Sequence, residues 1–295
     1  MSFRCGYVAI IGRPNVGKST LLNRLVGQKL SITSRKPQTT RHAILGVKTT
    51  EQAQILYIDT PGMHIDAKRA MNQFMNRTAL TALADVDVIA WLVNPGVWTR
   101  DDELILERLR GVKTPVILVI NKIDEVADKG VLLPEIEALS GKREFSAIVP
   151  LSARKGTGVA DFEATLVTYL PEAAALFPED QLTDRSARFL AAEIIREKLM
   201  RRLGEELPYA LTVEIEKFSE ENGTAHIYAL VWVEREGQKG IIVGRDGNVL
   251  KEVGRAARQD MEKMFGCKVY LKLWVKVKRG WSDDARALQS LGYSD

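Results

Sequence analysis

A chain of 295 residues is long enough for two compact domains. With 45% hydrophobic and 27% charged residues it has the composition of a folded, water-soluble protein, which excludes a disordered one, and no apolar run approaches the roughly 18 residues that a membrane helix needs. The formal charge of +4 is too small to announce a nucleic-acid binder, yet Arg235–Arg279 holds 12 basic against 5 acidic side chains, so the positive charge is local. The N-terminus enters an apolar run without a signal-peptide cleavage pattern. Cys5 and Cys267 lie near opposite ends of the chain and suggest neither a disulfide framework nor a metal cluster, so a reducing cytoplasm is expected.

In chain order, the first half alternates apolar strands with helical patterns. Tyr7–Ile11 predicts a strand, followed by a Gly-rich turn and a helix over Lys18–Val26. Ala43–Lys48 and Gln54–Asp59 predict neighbouring strands. Val86–Val93, Pro115–Ile120 and Ile148–Leu151 predict buried ones, separated by helices near Asp101–Leu109 and Leu132–Leu139 and closed by Val159–Leu170. Nearly continuous apolar strands with helical crossovers imply an α/β doubly wound sheet covered on both faces. Residues 173–185, with Pro178 and acidic, short side chains around it, read as a linker between a first domain over 1–172 and a second over 186–295. The second domain predicts a helix near Ser186–Leu203, strands over Leu211–Lys217 and Thr224–Val233, a Gly-rich turn, a helix over Asn248–Phe265 and a strand over Lys268–Lys276, which makes a small α+β unit.

Four signatures in the first domain carry nucleotide chemistry. Gly12, Arg13, Pro14, Asn15, Val16, Gly17, Lys18 and Ser19, followed by Thr20, match G-x-x-x-x-G-K-[ST] between a strand and a helix. Glycines let the backbone curl so that its N–H groups face phosphate oxygens, and the helix N-terminus adds a positive dipole end. Lys18 then reaches the β- and γ-phosphates and Ser19 ligates Mg²⁺. Asp59, Thr60, Pro61 and Gly62 form a D-x-x-G turn after a strand, where Asp59 holds the magnesium shell and the Gly62 N–H senses a γ-phosphate. Asn121, Lys122 and Asp124 also end a strand. The Asp124 carboxylate can accept the N1–H and exocyclic amine of guanine, which adenine cannot match, while Lys122 packs along the ring. Ser152, Ala153 and Arg154 end the last strand, with the Ala153 N–H expected at guanine O6.

Together these residues resemble the TRAFAC-class GTPases, and the resemblance covers the first half of the chain. It implies GTP and GDP as ligands and a first switch at Pro37–Arg41, with Thr40 favoured over Thr39 as the hydroxyl that reaches Mg²⁺. Where such GTPases place a water-orienting glutamine after the D-x-x-G glycine, this chain has Met63, which cannot polarise water. The resemblance is then to the hydrophobic-substituted members, some of which use K⁺ held partly by a P-loop asparagine, here Asn15. Lys18, Asn15, Thr40 and Gly62 are the expected catalytic groups, and the intrinsic rate is expected to be slow. His64 is a candidate general base, although a histidine beside such a loop is more often incidental.

In the second domain Gly244, Arg245, Asp246 and Gly247 form a G-x-x-G turn before a helix. On that helix Val249, Val253, Ala257 and Met261 share an apolar face, while Lys251, Arg255 and Arg258 recur away from it. This resembles the KH domain in its type II order, whose turn clamps a nucleic-acid backbone. A P-loop GTPase joined to a KH domain resembles the Era-like family of ribosome-assembly GTPases. The resemblance implies single-stranded ribosomal RNA near the small-subunit 3′ end and the 30S subunit as partners, and a monomer. Two alternatives stay open: an RNA-binding assembly protein with a largely structural nucleotide site, and a signalling GTPase whose basic surface meets anionic lipid as a weak peripheral association with the cytoplasmic face of the inner membrane. The tail after Trp281 is expected to cover the second domain.

Overall fold

The computed structural model describes residues 2–34, 36, 38–62, 70–204, 210–291 and 293. Pro37, Met63 and His64 lie outside the described residues. Contacts divide the chain into two units. The first comprises Met1–Ser31, Thr40–Ala67 and Met75–Asp184, and the second Ile32–Thr39, Lys68–Phe74 and Arg185–Asp295.

The first unit is built on six strands: β1 (Arg4–Ile11), β2 (Ile44–Thr49), β3 (Ala53–Asp59), β4 (Val88–Val93), β5 (Val116–Ile120) and β6 (Ala147–Pro150). Their order is β2-β3-β1-β4-β5-β6, with β2 antiparallel to β3 and every other pair parallel. Helices α1 (Lys18–Val26), α3 (Arg100–Arg108), α4 (Leu132–Ser140) and α5 (Val159–Tyr169) supply the crossovers and the closing layer. Ala9, Ile11, Trp91 and Leu118 pack with Ile105 and Leu109 in one buried cluster, while the alternate residues Val8 and Ile10 are equally buried. Burial on both faces explains why these strands read as continuous apolar runs rather than alternating ones. The doubly wound parallel sheet expected from the sequence is therefore present. It also places the C-terminal ends of β1, β3 and β5 on one edge, where α/β sheets bind ligands.

One helix was not anticipated: α2 (Ala70–Thr81). Its buried Met71, Phe74, Met75 and Ala79 follow helical spacing, but Asn72, Gln73, Asn76 and Thr78 between them weaken both propensity and pattern. Residues 173–184, expected as a linker, are bound into the first unit. The Leu176 and Phe177 amides donate to Gln54 Oε1 at 2.8 and 2.9 Å, and the Val47 amide donates to the Leu182 carbonyl at 2.8 Å.

The second unit contains α6 (Ala187–Arg202), β7 (Leu211–Glu221), β8 (Thr224–Val233), α7 (Glu236–Val243), α8 (Asn248–Phe265), β9 (Lys268–Val277) and α9 (Ala285–Ser290). Its sheet runs β7-β8-β9, with β7 antiparallel and β9 parallel to β8. Ile194, Ile195, Leu199, Val253, Ala257 and Met261 from the helices close on Ile227, Ala229, Val231 and Val269 from the strands. This is the α-β-β-α-α-β order expected of a type II KH domain, with α9 added. Trp281, fully buried, stacks on Tyr293 with ring centroids 6.3 Å apart, so the described tail covers part of its own unit. Among the described residues, no helix is long and apolar enough to cross a membrane.

Candidate nucleotide and nucleic-acid sites

The P-loop takes its shape from three backbone positions. Gly12 (φ 148°) and Gly17 (φ 104°) adopt angles that L side chains rarely reach, and Asn15 is a non-glycine residue at φ 64°. A Cβ at Gly17 would lie 2.3 Å from Asn121 Nδ2, and one at Gly12 would lie 2.6 Å from the Leu92 carbonyl oxygen. The loop thus has no room for a side chain where it passes its neighbours. Arg13 is tied outward by an ion pair to the buried Asp102 at 3.1 Å, which also closes the capping box of α3 with Thr99. Val16 is fully buried, Thr20 is half-buried and Asn15 is exposed.

Lys18, at the start of α1, is buried and donates to the Gly12 and Arg13 carbonyls at 2.9 and 3.0 Å. Burial lowers its ammonium to about 8, against the pull of Asp59 and with help from Arg13. A buried ammonium surrounded by carbonyls and one carboxylate is suited to an anion.

Asp59 ends β3 and is fully buried. Three hydroxyls converge on its Oδ2: Ser19 Oγ at 2.6 Å, Ser31 Oγ at 2.7 Å and Thr40 Oγ1 at 3.5 Å. Ser19 and Thr40 also share a hydrogen bond of 2.7 Å. Burial raises the Asp59 carboxyl above its ordinary value, opposed by the Ser19 hydrogen bond and by Lys18. Its other oxygen, Oδ1, is buried with no hydrogen-bond partner among the described residues. Hard oxygen donors with one carboxylate oxygen left over are the donor set of Mg²⁺, so Ser19, Thr40 and Asp59 fit that ion. Thr39 is not directed there: its hydroxyl donates to the Lys36 carbonyl at 2.5 Å, and within the second unit its carbonyl accepts from Arg196. Gly62 lies against the P-loop, since a Cβ there would meet Pro14 Cγ at 2.8 Å, and both Pro61 and Gly62 are buried. The Thr60 hydroxyl donates to the Ile10 carbonyl at 2.9 Å and locks the turn to β1.

At the ends of β5 and β6 the second set of residues meets. The Asn121 amide donates to the Val16 carbonyl at 2.7 Å and accepts from the Ala153 amide at 2.9 Å. The Ala153 N–H, expected at guanine O6, donates to Asn121 Oδ1, so the buried Asn121 side chain has both of its polar ends satisfied. Its structural effect is to tie the P-loop to the 152–154 loop. Ser152 Oγ donates to Asp124 Oδ1 at 2.6 Å and thereby orients an exposed carboxylate. Lys122, at φ 67°, begins the short turn that carries Asp124. Arg24 of α1 holds the far side of the loop through the Ala153 and Arg154 carbonyls, at 3.2 and 2.6 Å.

Sequence reasoning missed Ser31, Arg24 and Asp102. Ser31 sits in no motif, and its signal is the Asn23 amide, which binds Leu30 and Ser31 backbone groups to α1. Asp102 lies in the first turn of a helix expected from the sequence, and its pairing with Arg13 follows from tertiary packing.

In the second unit Gly244 (φ 72°), Asp246 (φ 53°) and Gly247 (φ 73°) make a left-handed turn between α7 and α8. A Cβ at Gly244 would meet Val249 Cγ2 at 2.5 Å. Arg245 and Asp246 are 96% and 82% exposed at the tip, so nothing in the unit covers this loop. Lys251 Nζ donates to the Asp246 carbonyl at 3.2 Å, Arg255 is exposed, and Arg258 pairs with Glu262 at 3.5 Å.

The profile of the 50S ribosome-binding GTPase family matches residues 7–122, and that of the KH domain matches residues 206–282. The GTPase Era of Marinobacter nauticus is 58% identical over 292 residues, spanning 99% of this chain and 96% of that protein. A solved Aquifex aeolicus Era variant bound to GDP·AlF4⁻ is 41% identical with a TM-score of 0.96, covering 99% of this chain and all of that one. A second solved Era, in complex with MgGDPNP and nucleotides 1506–1542 of 16S ribosomal RNA, is 42% identical with a TM-score of 0.96 and the same coverage.

The position of Lys18 gives a pH dependence. A phosphate beside it favours the ammonium, so its pKa rises on binding and nucleotide binding takes up a proton. Affinity for GTP is therefore expected to be full below about pH 8 and to fall as pH rises through and above that value. Titration calorimetry in buffers of different ionisation enthalpy should show this uptake, whereas an affinity flat from about pH 7 to about pH 9.5 contradicts the assignment.

Proposed function

The chain belongs to the Era family of GTPases, and from that premise we propose that it is a slow GTP-hydrolysing switch that binds single-stranded ribosomal RNA near the 3′ end of the small-subunit RNA and assists small-subunit assembly. The observation that carries the nucleotide half is the convergence of Ser19, Ser31 and Thr40 on Asp59, beside the buried Lys18. A relative solved with MgGDPNP and 16S ribosomal RNA supports the ligand pair. Mg²⁺, when bound, neutralises charge on the β- and γ-phosphates.

The chain's own residues do the rest. Gly12–Thr20 hold the phosphates with backbone N–H groups, and Lys18 supplies a desolvated positive charge where charge develops. Thr40 and Gly62 close on the γ-phosphate end, and Asp124, oriented by Ser152, selects guanine. Asn15, exposed on the loop, suits a K⁺ ion that would take over part of the role of a missing glutamine. Gly244–Gly247, with Lys251, Arg255 and Arg258, hold the RNA backbone. Thr39, whose carbonyl accepts from Arg196 within the second unit, is joined by one peptide bond to Thr40, which supports coupling of nucleotide state to RNA binding. Two free cysteines are compatible with a reducing cytoplasm.

Asp124→Asn should move base preference from guanine toward xanthine by tenfold or more, because an amide donates where a carboxylate accepts. A variant that still prefers GTP in a nucleotide competition assay removes Asp124 from base recognition. Hydrolysis measured in K⁺ and in Na⁺ should be several-fold faster in K⁺, and equal rates rule out the potassium role of Asn15.

A further inference from the structure

One face of the second unit's sheet lies in the core; on the other Thr212 and Leu230 are buried while Tyr270 is exposed, and much of that face is aromatic. In β8 and β9 the residues that alternate with core positions include His226, Tyr228, Leu230 and Trp232, and Tyr270, Lys272, Trp274 and Lys276. Parallel pairing sets His226 opposite Tyr270 and Leu230 opposite Trp274. The rings form a connected row: His226 to Tyr270 at 5.4 Å, Tyr270 to Tyr228 at 6.0 Å, and Tyr228 to Trp274 at 5.9 Å with only 21° between planes. Tyr270 is 46% exposed, unusual for a ring with no apolar cover.

Lysines accompany the rings. Lys217 lies over Tyr228 at 5.8 Å, Lys272 over Trp274 at 5.1 Å, and Lys276 and Lys278 over Trp232 at 5.9 and 5.8 Å. Glu214 is occupied by the Trp232 indole N–H at 2.8 Å and Glu216 by Lys276 at 3.7 Å, so the face as a whole is positive. At one end Thr212 is hydrogen-bonded to the Tyr293 hydroxyl at 2.9 Å, and there the tail limits the open area.

We infer that this aromatic face is a second RNA-binding surface, on which unpaired bases stack against Tyr228, Tyr270 and Trp274 while the lysines meet the phosphates. His226 and Tyr228 are two residues apart, about 6.7 Å along their strand, and Tyr270 and Trp274 on the next strand are four apart with Lys272 between them, so rings and ammonium groups alternate across the face. Aromatic platforms combined with a positive surface are the general means of holding single strands without reading their sequence. A lipid interface would also take rings and lysines, but the contact of successive rings in one row favours stacked bases. The face is opposite the helices that carry the G-x-x-G turn, so its use does not rest on that turn.

The test uses the full chain and fluorescein-labelled single-stranded decauridine and decaadenosine RNA, read by anisotropy at constant salt. Two pairs address the face: Tyr270→Ser with Trp274→Ser, and Lys272→Gln with Lys276→Gln, the latter confined to exposed side chains and so harmless to folding. Each pair is made alone and with Gly244→Asp, which removes the turn. The expected result is that Gly244→Asp retains binding, that either pair weakens it at least fivefold, and that GTP affinity is unchanged. If Gly244→Asp leaves binding unaltered and the pairs abolish it, the turn's assignment fails and the face stands. If Gly244→Asp abolishes all binding, or the pairs change affinity less than twofold in both backgrounds, the inference is overturned and the face belongs to a protein or lipid partner.

Discussion

The first unit depends on one buried carboxylate. Asp59 sits at the end of β3 with no solvent access, where a lone charge is costly unless hydrogen bonds replace its hydration. Three hydroxyls, each from a different segment, do this on a single oxygen. Hydrogen bonds to charged groups contribute about 1.5–3 kcal/mol each, so the carboxylate gathers the start of α1, the loop after it and the stretch before β2 around itself. The geometry that satisfies Asp59 is also the geometry that leaves Oδ1 over for a cation. On the proposed reading the same atoms that satisfy the buried carboxylate also hold the cation.

The second unit solves a different problem. Its turn has glycines at positive φ, one of them packed against Val249, and leaves Arg245 extended into water, a geometry that suits the close approach of backbone to the long, charged ligand proposed for it. Its core is made wholly by one sheet face and the helices. The other face is buried at Thr212 and Leu230, and beyond them the rings contact each other and the lysines.

Much of this was legible in the chain because local chemistry and global fold agree. Helices α1 and α8 begin and end where Gly17, Gly27, Gly247 and Gly266 adopt left-handed angles, and those glycines are visible as punctuation in the sequence. The six strands of the first sheet showed as apolar runs because both faces are buried. Helix α2 did not show, since its buried Met71 and Met75 are interleaved with asparagine and threonine. Nor did the grip of Gln54 on Leu176 and Phe177, a contact across more than a hundred residues that no local pattern encodes. The motif residues were legible as types, but their partners were not. Asn121 joins two loops, Ser31 completes the Asp59 site, and Arg13 is anchored on Asp102, and each pairing is a product of tertiary packing. The aromatic face lay in plain alternation along β8 and β9, but only strand pairing brings Tyr228, Tyr270 and Trp274 into one row.

On the proposed function Asp59, Ser19 and Thr40 hold the magnesium of a GTP site. The most direct measurement is the affinity for GTP with Mg²⁺ and with the metal chelated, in the unaltered chain and in Asp59→Ala. The account predicts that chelation weakens GTP binding at least tenfold in the unaltered chain and has little effect in the variant. Equal affinity with and without Mg²⁺ in the unaltered chain, or the same metal dependence in Asp59→Ala, would contradict it.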